Sequence, residues 1–202
     1  MIEIIIIVIA LIILQRQIVA LETGAVATLA PRRAAPGLAQ LTDYADRLYH
    51  ERKWLAAEKA YLNVLKIEHK NVTAYSHLGI IYSTQKSMLD AIECFEIAAR
   101  LQPSASTFQN LGLGYLDNRN YIKAIAAFEK AIMFEPSASR YIGLSRAQHK
   151  LHNTTQYIAA LEKAIALDPS KRHLQLLADA YHEAGRPNDV AAVNERIRHL
   201  PG

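Results

Sequence analysis

An internal repeat in the middle of the chain constrains the fold more than any other feature. Gly79 and Gly112 occupy equivalent positions of two successive units, and seven further pairs of similar residues keep the same spacing. These pairs are Tyr75 with Phe108, Leu78 with Leu111, Tyr82 with Tyr115, Ala91 with Ala124, Phe95 with Phe128, Ala98 with Ala131 and Pro103 with Pro136. Because self-similarity at a fixed period indicates stacked supersecondary units, we expect a repeat architecture.

The same register continues on both sides of these two units. Upstream it contains Tyr44, Ala45, Leu48, Ala57 and Tyr61. Downstream it contains Tyr141, Leu144, Leu161, Ala164 and Pro169, and then Leu174, Leu177, Ala178 and Tyr181. The sequence therefore predicts five units, at residues 38–71, 72–104, 105–137, 138–170 and 171–202.

This pattern resembles the tetratricopeptide repeat, a helix-turn-helix unit of about 34 residues. The resemblance implies an all-α fold, a right-handed α-solenoid of about five units covering residues 38–202. Small residues such as Gly79 and Gly112 are expected where the first helix of a unit presses against the second, and Phe95 and Phe128 are expected to fill the seam toward the next unit. The fourth unit departs from the pattern, because Tyr157 stands where the repeat has alanine. We expect this large residue to change the local helix crossing.

The N-terminal stretch "MIEIIIIVIALIIL", from Met1 to Leu14, is far more apolar than the rest of the chain. The apolar run becomes long enough to span a bilayer if the helix continues to Leu21, since about 21 residues cover about 30 Å. We therefore predict a transmembrane anchor at residues 1–21 and a linker at residues 22–37. A buried core helix is the alternative, whereas a signal peptide fits poorly because Glu3 replaces the usual basic start.

Charges flanking this segment suggest an orientation. Only Glu3 precedes the run, whereas Arg16, Arg32 and Arg33 follow it. Because the basic side of a membrane segment usually faces the cytoplasm, we expect a single-pass protein with a cytoplasmic repeat domain. A periplasmic or extracellular domain stays open as an alternative.

Composition and motifs argue against several classes of function. The chain has 23 Lys and Arg against 19 Asp and Glu, a net charge of +4 without like-charged blocks, which does not suggest a nucleic-acid partner. The eight histidines are scattered, and no metal-binding, nucleotide-binding or nucleophile motif is present. Cys94 is expected to be a small packed side chain. We expect no enzymatic activity, no cofactor and no metal.

The resemblance further implies that the first helices line a concave groove that receives an extended peptide or a helix. Carried over onto this sequence, and with nearby Asn110 included, the partner-binding groove consists of Tyr49, Ile80, Ser83, Gln109, Asn110, Leu113, Leu116, Arg146, His149 and Arg172. Its apolar middle at Ile80, Leu113 and Leu116 indicates an interface, because the scaffold does not require hydrophobic residues there. The family's capture of a terminal carboxylate by lysines and asparagines does not fit, since Thr42, Asp46, Ser76 and Ile80 occupy those slots.

These features lead to a functional hypothesis of a membrane-anchored scaffold or adaptor. Its partner segment would present apolar anchors to the middle of the groove and acidic residues to Arg146 and Arg172. Two alternatives remain. The solenoid could self-associate as a structural homo-oligomer, with the groove filled by the linker or a second copy, or the domain could be an extracytoplasmic chaperone-like module near a translocon.

Overall fold

A computed structural model of the chain describes residues 37–200, and this part contains ten α-helices. In chain order they are α1 (Leu38–His50), α2 (Trp54–Ile67), α3 (Val72–Thr84), α4 (Met88–Leu101), α5 (Ala105–Asp117), α6 (Tyr121–Phe134), α7 (Ala138–Lys150), α8 (Thr154–Leu167), α9 (Lys171–Glu183) and α10 (Pro187–Arg198). The predicted anchor at residues 1–21 and all but the last residue of the linker lie outside the described residues. Within residues 37–200, no helix combines the length and the hydrophobicity needed to cross a membrane.

The helices pack as five successive hairpins. Helices α1 and α2 form the first pair, α3 and α4 the second, and the alternation continues to α9 and α10. Each second helix also packs against the first helix of the following pair, so the pairs stack in chain order. The expected all-α architecture of five helix-turn-helix units is thus confirmed for the described residues.

The turn within each hairpin contains one residue with positive φ. These residues, each two positions before the second helix, are Arg52, Lys86, Arg119, His152 and Gly185, with φ between 57° and 68°. The left-handed region costs a residue with a side chain about 1–2 kcal/mol, yet four of the five turns carry one. The shared conformation gives all five hairpins the same short connection.

Prolines and serines mark the boundaries between later units. Helices α4, α6 and α8 end two residues before Pro103, Pro136 and Pro169, as expected for a residue that cannot continue a helix. The serine after each proline then caps the next helix by accepting a hydrogen bond from a backbone N–H. Ser104 accepts from the backbone N–H of Thr107, Ser137 from that of Arg140, and Ser170 from that of His173.

The predicted packing roles of the glycines and phenylalanines are confirmed. A Cβ atom on Gly79 would lie 2.4 Å from the ring of Phe95, and one on Gly112 would lie 3.0 Å from the ring of Phe128. Phe128 also reaches the next unit, where a Cβ on Gly143 would lie 2.4 Å from its ring. Phe128 therefore occupies a seam between its own unit and the following one, and the glycines make that seam narrow.

The fourth unit replaces a contact that other units make. The hydroxyl of Tyr181 donates to Glu162 of the preceding unit at 2.6 Å, and Tyr115 makes the equivalent bond to Glu96. In the fourth unit this tyrosine slot holds Gln148, whose side chain accepts from Asn153 within its own hairpin. The fourth unit therefore lacks the tyrosine-to-glutamate hydrogen bond to the preceding unit.

Candidate functional site

Residues of three successive first helices, α3, α5 and α7, line an open surface pocket of about 240 Å³. Five of the ten residues predicted for the groove line it, namely Ile80, Ser83, Asn110, Leu113 and Arg146. The structure thus brings together the centre of the predicted groove from three separate units. Four further lining residues were missed by the sequence analysis, and these are Thr84, Phe95, Gly114 and Asp117.

The pocket has an apolar floor and a polar rim. Ile80 and Leu113 are half-buried and pack against the central core, so each presents part of its side chain. Gly114 has no side chain, and a Cβ there would lie 2.9 Å from the ring of Phe95, which places the ring directly behind the floor. Polar groups of Ser83, Asn110, Asp117 and Arg146 complete the lining. This arrangement can hold one apolar side chain of a bound peptide while the polar rim forms hydrogen bonds with the backbone of that peptide.

A larger pocket of about 740 Å³ lies among α7, α8 and α9. Arg146, His149 and Arg172 from the predicted set line it, and Arg146 and Arg172 are exposed. Among residues 37–200, no carboxylate lies within ion-pair distance of either arginine. The pocket also contains Asp179 and Glu183, so its charge is mixed rather than uniformly basic.

Tyr157, the large residue at an alanine slot, forms one wall of this larger pocket. Its side chain is buried, and its ring centroid lies 4.6 Å from that of His149. His149 Nε2 in turn lies 2.9 Å from Glu183 Oε2 in the following unit. The unusual tyrosine thus supports a histidine and carboxylate contact that joins the fourth and fifth units across the pocket.

Arg146 connects the pockets along the groove. A third cavity of about 690 Å³ is lined by Leu116, Asp117, Arg119, Tyr121, Arg146, His149 and Lys150. Arg146 therefore lines all three cavities, and its exposed guanidinium can reach a ligand in any of them. Arginine suits this role because its planar group binds carboxylates through two parallel hydrogen bonds.

Leu116 does not provide the exposed apolar surface expected from its repeat position. It is only 6% exposed and belongs to the same core cluster as Tyr115, Phe128 and Ala147. The next first helix, α7, packs beside α5 and contributes Ala147 to this cluster. Leu116 therefore touches the cavity of about 690 Å³ with only a small part of its side chain, and the half-buried apolar middle of the groove consists of Ile80 and Leu113.

Gln109 lies beside the pocket without lining it. Its side chain is half-buried, whereas its neighbour Asn110 contributes to the pocket of about 240 Å³. A shift of one residue turns a side chain by about 100° around a helix. Asn110, which was predicted for the groove together with Gln109, is therefore the one of the two that faces the pocket.

Tyr49 lies in a polar and aromatic cluster between the first two units. Its ring stacks on His77 with centroids 4.3 Å apart. The hydroxyl of Tyr61 donates to Asp46 Oδ1 at 2.6 Å and lies 2.6 Å from His77 Nδ1. Burial lowers the pKa of His77, although Asp46 opposes the shift. This end of the groove is thus occupied by contacts within the chain, and Tyr49 orients His77.

Other chemistry finds little support in the described residues. Burial raises the pKa of the Cys94 thiol to about 12, which keeps it protonated and poorly nucleophilic at neutral pH. Between residues 37 and 200, no three His, Cys, Asp or Glu side chains are grouped so that they could hold a metal ion.

Comparisons with known proteins identify the repeats. Residues 72–104 and 105–137 match the family model described as "Tetratricopeptide repeat". These two segments are therefore tetratricopeptide repeats, and they are the same two units that carry the strongest internal similarity. The comparison with curated proteins gave no match.

Solved structures show that the likeness extends over the described fold. The crystal structure of MamA is 26% identical, with a TM-score of 0.71, over 76% of this chain and 91% of that chain. MamA from Desulfovibrio magneticus RS-1 is 18% identical, with a TM-score of 0.75, over 82% of this chain and 96% of that one. YrrB is described as a tetratricopeptide repeat protein with an unusual peptide-binding site. It is 14% identical, with a TM-score of 0.67, over 78% of this chain and 83% of that chain. The fold is thus that of a tetratricopeptide repeat solenoid.

Proposed function

For a chain built from tetratricopeptide repeats, we propose a non-enzymatic adaptor function, in which the groove along the first helices binds a segment of a partner protein. The observation that carries this proposal is the pocket of about 240 Å³ formed by α3, α5 and α7. A scaffold does not need half-buried Ile80 and Leu113 at a surface pocket, and apolar surface with a polar rim is typical of binding sites.

The pocket defines the partner segment. Its volume has room for an aliphatic side chain such as leucine or isoleucine, packed on Ile80 and Leu113. Ser83 and Asn110 are placed to hydrogen-bond the backbone of that segment. Farther along the groove, the exposed guanidinium groups of Arg146 and Arg172 suit an acidic residue. The best candidate is therefore an extended segment with one aliphatic anchor followed by a carboxylate.

The peptide-binding site attributed to YrrB offers support by analogy of fold. The identity of 14% is too low to carry residues from one protein to the other. The analogy is that a solenoid of this shape presents a concave surface to a peptide. The proposal therefore rests on the residues that line the groove of this chain.

The membrane part of the proposal concerns residues 1–21, outside the described residues. The apolar run from Ile4 to Leu14, continued to Leu21, supports a role as a membrane anchor, and Arg16, Arg32 and Arg33 favour a cytoplasmic repeat domain. The full chain should then stay in the membrane pellet after an alkaline carbonate wash, and protease added to intact cells should leave the repeats uncut. Release by the wash would contradict the anchor, and cleavage in intact cells would contradict the orientation.

A double substitution in the pocket tests the adaptor function. We expect the Ile80→Glu/Leu113→Glu variant to lose its partner, because two carboxylates would stand on the floor that receives the aliphatic anchor. Loss of a central apolar contact typically costs at least about 2 kcal/mol of binding free energy, which is about thirtyfold in affinity. The measurement is cross-linked co-purification of the full chain from membranes with mass spectrometry, followed by affinity measurement with the partner found.

The matched control carries two new charges away from the groove. Ile67 and Leu167 are exposed at the ends of α2 and α8, so the Ile67→Glu/Leu167→Glu variant should keep the partner. Circular dichroism should show equal helix content in both variants. The adaptor proposal would be contradicted if the groove variant retained every partner of the wild-type chain.

A further inference from the structure

Three equivalent aliphatic side chains protrude from one edge of the solenoid. Leu55, Leu89 and Ile122 are each the second residue of a second helix, in the first, second and third units. They are 65%, 76% and 73% exposed, and none of them lines a cavity described above. Because the units stack in chain order, these equivalent positions recur along one edge of three successive units.

Basic residues accompany this row. Three positions before each aliphatic residue, the turn holds a positive-φ residue with a long cationic side chain. These turn residues are Arg52, Lys86 and Arg119. The turn segments 50–56, 84–90 and 117–123 contain five Lys or Arg and three Asp or Glu. Glu51 is paired with Lys53 at 2.7 Å, and the three segments together hold two more basic than acidic residues, so the edge is positively charged. We call this edge the turn ridge, meaning the three aliphatic and three turn residues named here.

We propose that the turn ridge rests on an anionic lipid bilayer. A protein partner usually anchors its central residues in pockets, whereas the ridge presents protruding aliphatic side chains without a cavity between them. Aliphatic side chains can enter the boundary between headgroups and acyl chains, while long lysine and arginine side chains place their charges beside lipid phosphates. The repeated pairing of one cation with one aliphatic residue fits that boundary.

The ridge ends after the third unit. Thr155 and Asn188 occupy the same helix position in the fourth and fifth units, so neither continues the aliphatic row. The contact is therefore confined to the three units that follow the N-terminal segment in the chain. The pockets of about 240 and 740 Å³ are lined by other side chains, and of the six ridge residues only Arg119 also lines the cavity of about 690 Å³. Lipid contact at the ridge is therefore compatible with an occupied pocket of about 240 Å³.

Trp54 provides an internal probe for this contact. It is the only tryptophan in the chain and precedes Leu55 directly. We expect its fluorescence to be quenched by lipids brominated on their acyl chains when the full chain is bound to vesicles containing phosphatidylserine. With vesicles of phosphatidylcholine alone, quenching should be much weaker, because the basic residues would lack their anionic partners.

Substitutions separate the ridge from the rest of the surface. The Leu89→Glu/Ile122→Glu variant should lower lipid contact by about tenfold or more, because it removes apolar area and adds repulsive charge. Both positions are exposed and lie in the first turn of a helix, where a carboxylate favours the fold. The control, Ile67→Glu/Met133→Glu, adds the same charge at the opposite ends of α2 and α6 and should be quenched like the wild-type chain.

Three results would overturn the proposal. The first is absence of Trp54 quenching on phosphatidylserine vesicles, and the second is quenching that does not depend on phosphatidylserine. The third is equal quenching of the ridge variant and the control, which would mean that the N-terminal segment or another face brings Trp54 to the lipid.

Discussion

Replacing Phe128 with alanine is expected to lower the free energy of unfolding of the repeat domain by about 4 kcal/mol. The side chain is fully buried, and it fills the seam between Gly112 of its own unit and Gly143 of the next. Its removal leaves a cavity that glycines cannot fill. Because a repeat protein is held together by interfaces between neighbours, the loss should weaken the coupling of the third unit to the fourth.

Urea denaturation followed by circular dichroism measures this effect. Met133 supplies the control, because it lies on the same helix but is highly exposed. We expect Met133→Ala to change the free energy of unfolding by less than about 0.5 kcal/mol. A similar, small change for both variants would contradict the assignment of Phe128 as the residue that joins the two units. A broadened or biphasic transition for Phe128→Ala alone would show the uncoupling directly.

Adding a single methyl group at Gly79 should have the second largest effect. The new Cβ would lie between 2.4 and 2.9 Å from three ring atoms of Phe95, which is itself only 3% exposed. Alanine favours a helix over glycine by about 1 kcal/mol, but overpacking of a tight core costs about 1–3 kcal/mol. Because Phe95 has little space to move, we expect the steric cost to reach the upper end of this range, so that Gly79→Ala destabilises the domain by about 2 kcal/mol after the gain in helix propensity.

Two comparisons make the Gly79 prediction specific. Gly112→Ala should cost less, since its nearest ring atoms lie at 3.0 Å. Adding Phe95→Leu to Gly79→Ala should restore part of the lost stability, and a double-mutant cycle in urea measures this coupling. If Gly79→Ala instead stabilised the domain, intrinsic helix propensity would outweigh the steric contact, and the tight approach of α3 to α4 would be wrong.

The repeat pattern predicted the scaffold well because packing imposes the pattern. Position 79 must be small because the large ring of Phe95 packs directly against it, and Pro103 must follow the end of a helix. Such requirements recur in each unit and are therefore visible as periodicity within one sequence. The serines that cap the later first helices could also have been found, since a serine before an apolar helix is a known start signal.

The groove was predicted less well, because its shape depends on how neighbouring first helices pack. Leu116 is buried, whereas Ser83, at the same position of the preceding unit, is half-buried. Of the two adjacent residues predicted for the groove, Asn110 lines the pocket of about 240 Å³ and Gln109 does not. Gly114 leaves the ring of Phe95 at the pocket surface. A glycine in the sequence does not indicate which side chain packs against it, so this contact could not be predicted.

The cluster around Tyr49 also escaped the sequence analysis. One signal was available, because Tyr61 stands where the second and third units have phenylalanine, and a buried hydroxyl requires a partner. Asp46 and His77 provide that partnership from two different helices. Their convergence depends on the rotation of α1 against α3, which the repeat register does not specify.

Site-specific photo-crosslinking tests the central claim, that a partner binds in the groove. A photoreactive residue at Ser83 lies in the lining of the pocket of about 240 Å³, whereas one at the exposed Glu129 lies on a second helix. We expect the full chain to crosslink its partner from position 83 and not from position 129, and the Ile80→Glu/Leu113→Glu substitution to abolish the product. Crosslinking from position 129 alone would contradict the claim and place the partner on the opposite surface of the solenoid.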